Sequence, residues 1–173
     1  MTGLLIVPGI DGSGPEHWQS RWEAGAGRAA VRIAPASWSA PDPDDWLAAI
    51  SAAAEPGMVI VAHSLGCLAT AMWFAEHGAG GLRGALLVAP PDRDRPGFPA
   101  AAAGFASPVA PLPVPSIVVA SDDDPFATPE AARALASAWG SELVELPGLG
   151  HLNAASGLGA WPEGIAILDR LRA

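Results

Sequence analysis

Apolar residues fall along the chain in short unbroken runs, and between the runs lie stretches with helical spacing and helix-capping residues. The runs are Leu4–Val7, Val31–Ala34, Met58–Ala62, Gly84–Ala89, Ser116–Ala120 and Glu142–Leu146. Most are rich in Val, Ile and Leu without polar alternation, the mark of strands covered on both faces. Between them, Asp42-Pro43-Asp44-Asp45 offers an N-cap, a proline at the first helical position and acids in the first turn. Thr128-Pro129-Glu130 repeats that signal ahead of 131–139, and Gly140 supplies a stop. A further helix is expected over 65–77, apolar nearly all round, with Gly78 ending it. Strand–helix alternation of this kind builds right-handed βαβ units. The expectation is therefore a compact α/β fold: about six strands in a mostly parallel sheet, helices on both faces. Nothing divides residues 1–173 into more than one domain, and no internal repeat is visible.

One segment breaks the pattern. From Pro96 to Ser121 there is no charged residue, yet five prolines at 99, 108, 111, 113 and 115 rule out a spanning helix. It reads as a long surface loop feeding the fifth strand, with no insertion large enough to form a cap domain. An open, shallow pocket is the expectation.

In a sheet of this type the working residues stand just beyond the carboxyl ends of the strands. After the third run comes Ala62-His63-Ser64-Leu65-Gly66, a small-x-Ser-x-Gly turn between strand and helix. Such a turn lifts a serine hydroxyl above the sheet as a nucleophile; the bland reading is a serine that caps a helix. A serine needs a base, and the chain has four histidines. His63 leaves the strand on the wrong side, and His77 lies at the far end of the helix. His151, in the glycine-flanked loop after the last strand, is the preferred base, with His17 as rival. For the acid that orients the base, Asp124 is chosen from Asp122-Asp123-Asp124-Pro125, with Asp123 and Asp92 in reserve. The oxyanion formed on attack needs two N–H donors; Leu65 and Ile10 are the candidates, Ile10 lying in the glycine-rich loop 9–14 after the first strand. Asp11, His17 and Trp18 are candidates to line a substrate pocket.

Composition narrows the rest. The 173 residues carry nine Lys and Arg against 18 Asp and Glu, a net charge of −9. No basic run is present, which argues against nucleic acid or an anionic membrane as partner. The glycine loop matches neither phosphate-binding spacing, and Asp11 would repel a phosphate. Neither a metal nor another cofactor is called for, and Cys67 reads as a small buried thiol. The single cysteine and the lack of a signal-like N-terminus lead us to expect a cytoplasmic protein. Oligomeric state is not readable.

These residues resemble a known group. The order Ser64, Asp124, His151 is that of α/β-hydrolases. More narrowly, the sequence resembles the YdeN family of small serine hydrolases. The matching pieces are Val7-Pro8-Gly9, His17-Trp18-Gln19 with Trp22, Ala62 to Gly66, Ser121 to Phe126, Gly150-His151-Leu152-Asn153, Ser156-Gly157 and Trp161-Pro162. The resemblance implies a compact α/β-hydrolase with Ser64, Asp124 and His151 as nucleophile, acid and base, cleaving small esters or amides. The alternatives are an acyltransferase using the same groups, or a non-catalytic binding module with a vestigial triad.

Overall fold

The computed structural model describes residues 2–173. Six strands form one sheet: β1 (Leu4–Val7), β2 (Ala30–Arg32), β3 (Val59–His63), β4 (Gly84–Val88), β5 (Ser116–Ser121) and β6 (Glu142–Leu146). All five pairings are parallel, in the order β2-β1-β3-β4-β5-β6. Each run anticipated from the sequence becomes a strand, but β2 is shorter than its apolar stretch. Ile33 N still donates to Ile6 O at 3.1 Å, after which the chain turns away ahead of Pro35. β3 runs one residue further than expected and takes in His63.

The helices divide between the two faces. Alternate residues of each buried strand point to opposite sides. Leu5, Val7, Ile60 and Ala62 pack with α2 (Pro43–Ala53), α3 (Leu65–His77) and α4 (Pro129–Trp139). Leu4, Ile6, Val59 and Val61 pack with α1 (Trp18–Ala26) and α5 (Pro162–Asp169). The capping chemistry is as the sequence requires: Asp42 accepts the Asp45 amide at 3.0 Å and Thr128 accepts the Ala131 amide at 3.1 Å. α3 is buried along nine of its thirteen residues, which explains why it shows no polar stripe.

The segment from 96 to 115 is not simply a surface loop. Ala102 and Phe105 are fully buried, and the Phe105 ring meets Trp46 edge-on at 5.4 Å. A short 3-10 turn at Ala100–Ala102 presses the chain onto the helices. Its alanines and phenylalanines find apolar surface to cover, and the prolines only prevent regular structure while they do so. Among the described residues no helix is long and apolar enough to cross a membrane.

Chain order reverses at β1, which has β2 on one side and β3 on the other. The carboxyl ends of β1 and β3 thus open a crevice at the switch point.

Candidate active site

The turn after β3 is forced by close packing. A Cβ placed on Gly66 would stand 2.3 Å from Val7 O and 2.6 Å from Pro8 O, so only glycine lets α3 start against β1. The chain accommodates this by holding Ser64 at φ 52°, ψ −124°, a region that non-glycine residues rarely occupy. In that conformation Ser64 does not cap α3 with its side chain. Its hydroxyl instead lies 2.8 Å from His151 Nε2.

On the far side of the ring, Nδ1 of His151 stands 2.9 and 3.0 Å from the two carboxylate oxygens of Asp124. Asp124 is buried, and its Oδ1 also accepts the Phe126 amide at 2.8 Å. With a carboxylate at Nδ1, that nitrogen carries the proton and Nε2 is free to accept one from the serine. Residues 64, 124 and 151, distant in sequence, are thus joined in one hydrogen-bonded line.

The loop that carries His151 is held by groups of quite different origin. Gly148 N donates to Asp122 Oδ1 at 2.8 Å, Leu149 N to Ser121 Oγ at 2.8 Å, and Gly150 N to Asp123 Oδ1 at 2.7 Å. His63 Nε2–H donates to the carbonyl of His151 itself at 2.9 Å. Trp18 Nε1–H donates to the next carbonyl, that of Leu152, at 2.8 Å. Asp123 therefore contacts the histidine's loop and not its ring. Asp92 is tied elsewhere, its amide donating to Phe126 O, and it does not meet His151.

The three residues expected to line the pocket do not all reach it. Asp11 and His17 do line the cavity beside Ser64. Trp18 does not. It is 1% exposed and packs edge-on against Trp22 and Trp161, because α1 turns this face to the sheet. His17 accepts the Gln19 amide at Nδ1, capping α1, and its Nε2 is buried without a partner. Burial, Arg32 and His151 together push the His17 pKa down to about 4. Burial, aided by the nearby His151 and His17, likewise drives His63 well below the usual histidine range. Both rings are neutral at pH 7. His77 stacks on Trp73 far along α3, and Cys67 is buried, its thiol pushed up by desolvation.

Two backbone segments meet beside Ser64, the start of α3 and the loop after β1. Leu65 opens α3, so its N–H has no partner within the helix. Gly9, just before Ile10, approaches so closely that an added Cβ would stand 3.0 Å from Ser64 Cβ and 3.5 Å from Leu65 N. The cavity above these atoms has a volume of about 620 Å³. Phe98, Pro99, Ala101 and Ala102 give it an apolar wall, and Phe126, Ala154 and Ala155 also line it. Sequence reasoning missed that wall, although the cavity is open to solvent beside the exposed Ala101, Ala154 and Ala155. The signal was present in the charge-free stretch of Ala, Phe and Pro.

A family model for serine hydrolases matches residues 4–170. A solved structure described as a YdeN-like hydrolase, from Pectobacterium atrosepticum, is 34% identical, with a TM-score of 0.84 over 98% of this chain and 89% of that one. The chain belongs to the YdeN-like small serine hydrolases. The ydeN gene product of B. subtilis is 21% identical and superposes with a TM-score of 0.74 over 99% of this chain and 98% of that one. Esterase 2 of Thermogutta terrifontis shares the fold at 15% identity, with a TM-score of 0.64 over 98% and 81% of the two chains. No functionally curated protein matches significantly. As a YdeN-like protein it is a hydrolase, and its six-stranded parallel sheet with five helices is the α/β-hydrolase architecture.

Proposed function

We propose that this hydrolase cleaves ester or amide bonds of small acyl substrates through an acyl-enzyme on Ser64. His151 takes the Ser64 proton as the hydroxyl oxygen attacks the acyl carbonyl. Asp124 fixes the ring's tautomer and stabilises the imidazolium that results. The N–H groups of Ile10 and Leu65 receive the negative oxygen of the tetrahedral intermediate. His151 then gives the proton to the leaving alcohol or amine, the C–O or C–N bond breaks, and a water activated by the same ring hydrolyses the ester on Ser64.

The observation that carries this reading is the unbroken line from Ser64 Oγ through both ring nitrogens to the buried Asp124 carboxylate. An intact line also speaks against a vestigial site, since a binding module has no need of a serine strained to φ 52°. The cavity wall, largely apolar and without lysine or arginine, favours neutral acyl groups over anionic ones. Acyl transfer in place of hydrolysis is the second use of such a site, separated by product analysis with a competing alcohol.

Labelling by a fluorophosphonate, which reports an activated serine, tests the reading together with turnover of activated esters. Ser64→Ala is expected to abolish labelling and to lower kcat by about 10⁶. A wild-type protein that takes no label, or a Ser64→Ala variant that still turns over, would overturn it.

A further inference from the structure

The loop after β1 adopts a backbone its sequence does not favour on its own. Asp11, Gly12 and Ser13 stand at φ 65°, 74° and 41° in succession, and only the middle one is glycine. Left-handed backbone at aspartate and serine persists where surrounding contacts over-determine it. Trp38 O accepts the Asp11 amide at 3.0 Å, and the carbonyls of Gly12 and Ser13 are held from β2 and α1. Arg32 Nη1 donates to Gly12 O at 2.9 Å and to Ser13 O at 3.1 Å. Its Nη2 donates to Ser20 Oγ at 2.8 Å, and that hydroxyl donates on to Ser13 O at 2.7 Å. Glu23 accepts from Nε at 2.8 Å and holds the guanidinium plane. From the other side Ser13 Oγ donates to Gln19 Oε1 at 2.6 Å, while the fully buried Gln19 donates to Val61 O at 2.9 Å on the strand that leads to Ser64.

We propose that Arg32 is a positioning residue for hydrolysis: by gripping the carbonyls of Gly12 and Ser13 it fixes the left-handed turn, and with it the direction of the Ile10 amide at Ser64. This rests on the reading above, in which Ile10 N–H receives the oxyanion. Arg32 is not among the residues lining the cavity; it reaches the site through the backbone of the loop, and its charge is also felt by His17. The role suits arginine. Three nitrogens in one rigid plane reach the two carbonyls, a hydroxyl and a carboxylate at once, which a lysine ammonium on a flexible stem does not reproduce.

The test compares Arg32→Ala with wild type by steady-state turnover of an activated ester and by the rate of Ser64 labelling with a fluorophosphonate. An oxyanion donor that has lost its aim weakens the transition state alone. The expected result is therefore a fall in kcat and kcat/KM together by about tenfold or more, with KM nearly unchanged and labelling slowed in parallel. Millimolar guanidinium is expected to restore part of the lost rate, since the Arg32 side chain is 19% exposed and its vacated site opens to solvent. A folded Arg32→Ala variant with wild-type kcat overturns the proposal, as does a loss confined to KM or to melting temperature. Should Arg32→Ala not fold, Arg32→Lys decides: a folded lysine variant with lowered kcat supports the clamp, and one with unchanged kcat and labelling rate overturns it. Failure of the underlying reading looks different, because wild type would then escape labelling at Ser64 whatever residue stands at 32.

Discussion

Asp123 Oδ1 accepts the amide hydrogen of Gly150 at 2.7 Å, so the carboxylate next to the one touching His151 anchors the loop that delivers the ring. Ser121 Oγ donates to the same oxygen at 2.7 Å, and these two bonds, that from Ser121 first, hold the Asp123 carboxyl below the usual aspartate range. Three consecutive aspartates that look interchangeable in sequence have separate tasks: 122 and 123 hold the backbone, 124 holds the imidazole.

That division predicts unequal losses. Asp124→Asn keeps the shape but offers the wrong partner to Nδ1, and kcat is expected to fall by about 10⁴. Asp123→Ala leaves the Asp124–His151 contact in place and removes only a loop anchor, so its kcat is expected to fall by less than about tenfold. Steady-state kinetics of the two variants on one activated ester checks the ratio; equal losses would contradict the division.

Stability is expected to decline in mild acid through His17 and His63. Both are held neutral in the folded protein, His17 with a pKa of about 4, whereas an unfolded histidine takes up its proton near pH 6.5. Protonation therefore favours the unfolded chain as pH drops below about 6.5, by up to about 1.4 kcal/mol per pH unit for each ring, and His17 ceases to contribute below its folded value. Above pH 7 neither group adds any slope. Urea melts between pH 4 and 8 measure this. His17→Asn, which retains a side chain able to cap α1, is expected to flatten part of the acid limb.

Chain-length preference is expected to be set by the wall that segment 96–115 provides. Ala101→Phe adds a ring at a position that lines the cavity. The value of kcat/KM for a hexanoyl ester is expected to fall by about 10- to 100-fold, while that for an acetyl ester changes by no more than about threefold. A uniform loss across the series would show that the ring disturbs Ser64 and not the acyl space.

The strands and capped helices were legible because local signals and tertiary structure agree: buried parallel strands leave unbroken apolar runs, and α2 and α4 announce themselves with an aspartate or threonine before proline. The contacts of Ser64 were legible for a related reason, since a strand–turn–helix with glycine at 66 has few other solutions. Trp18 misled because an aromatic beside a glycine loop reads equally well as pocket wall or as core, and only the rotation of α1 distinguishes them. The anchoring role of His63 was hidden in its neighbour, as the carbonyl it serves belongs to residue 151, 88 positions away. Segment 96–115 was the hardest to place. Its burial depends on side chains meeting α2 and α3, and no periodicity within the segment records that meeting.

That same segment is fastened by a handful of hydrogen bonds, among them Arg93 to the carbonyls of Ala103 and Phe105 and Trp139 Nε1–H to the carbonyl of Pro108. None of its residues before Pro115 pairs in the β-ladder, and Pro115 does so only through its carbonyl, which accepts the Ala85 amide at 3.0 Å. The Ser64–His151–Asp124 contacts and the cavity wall consequently occupy different kinds of chain: one is locked into the sheet and its turns, the other is irregular chain packed beside it through Ala102 and Phe105. Replacements at the lining positions Phe98, Pro99 and Ala101 can remodel what enters while strand register stays as it was, whereas Ala102 and Phe105 are held in the core.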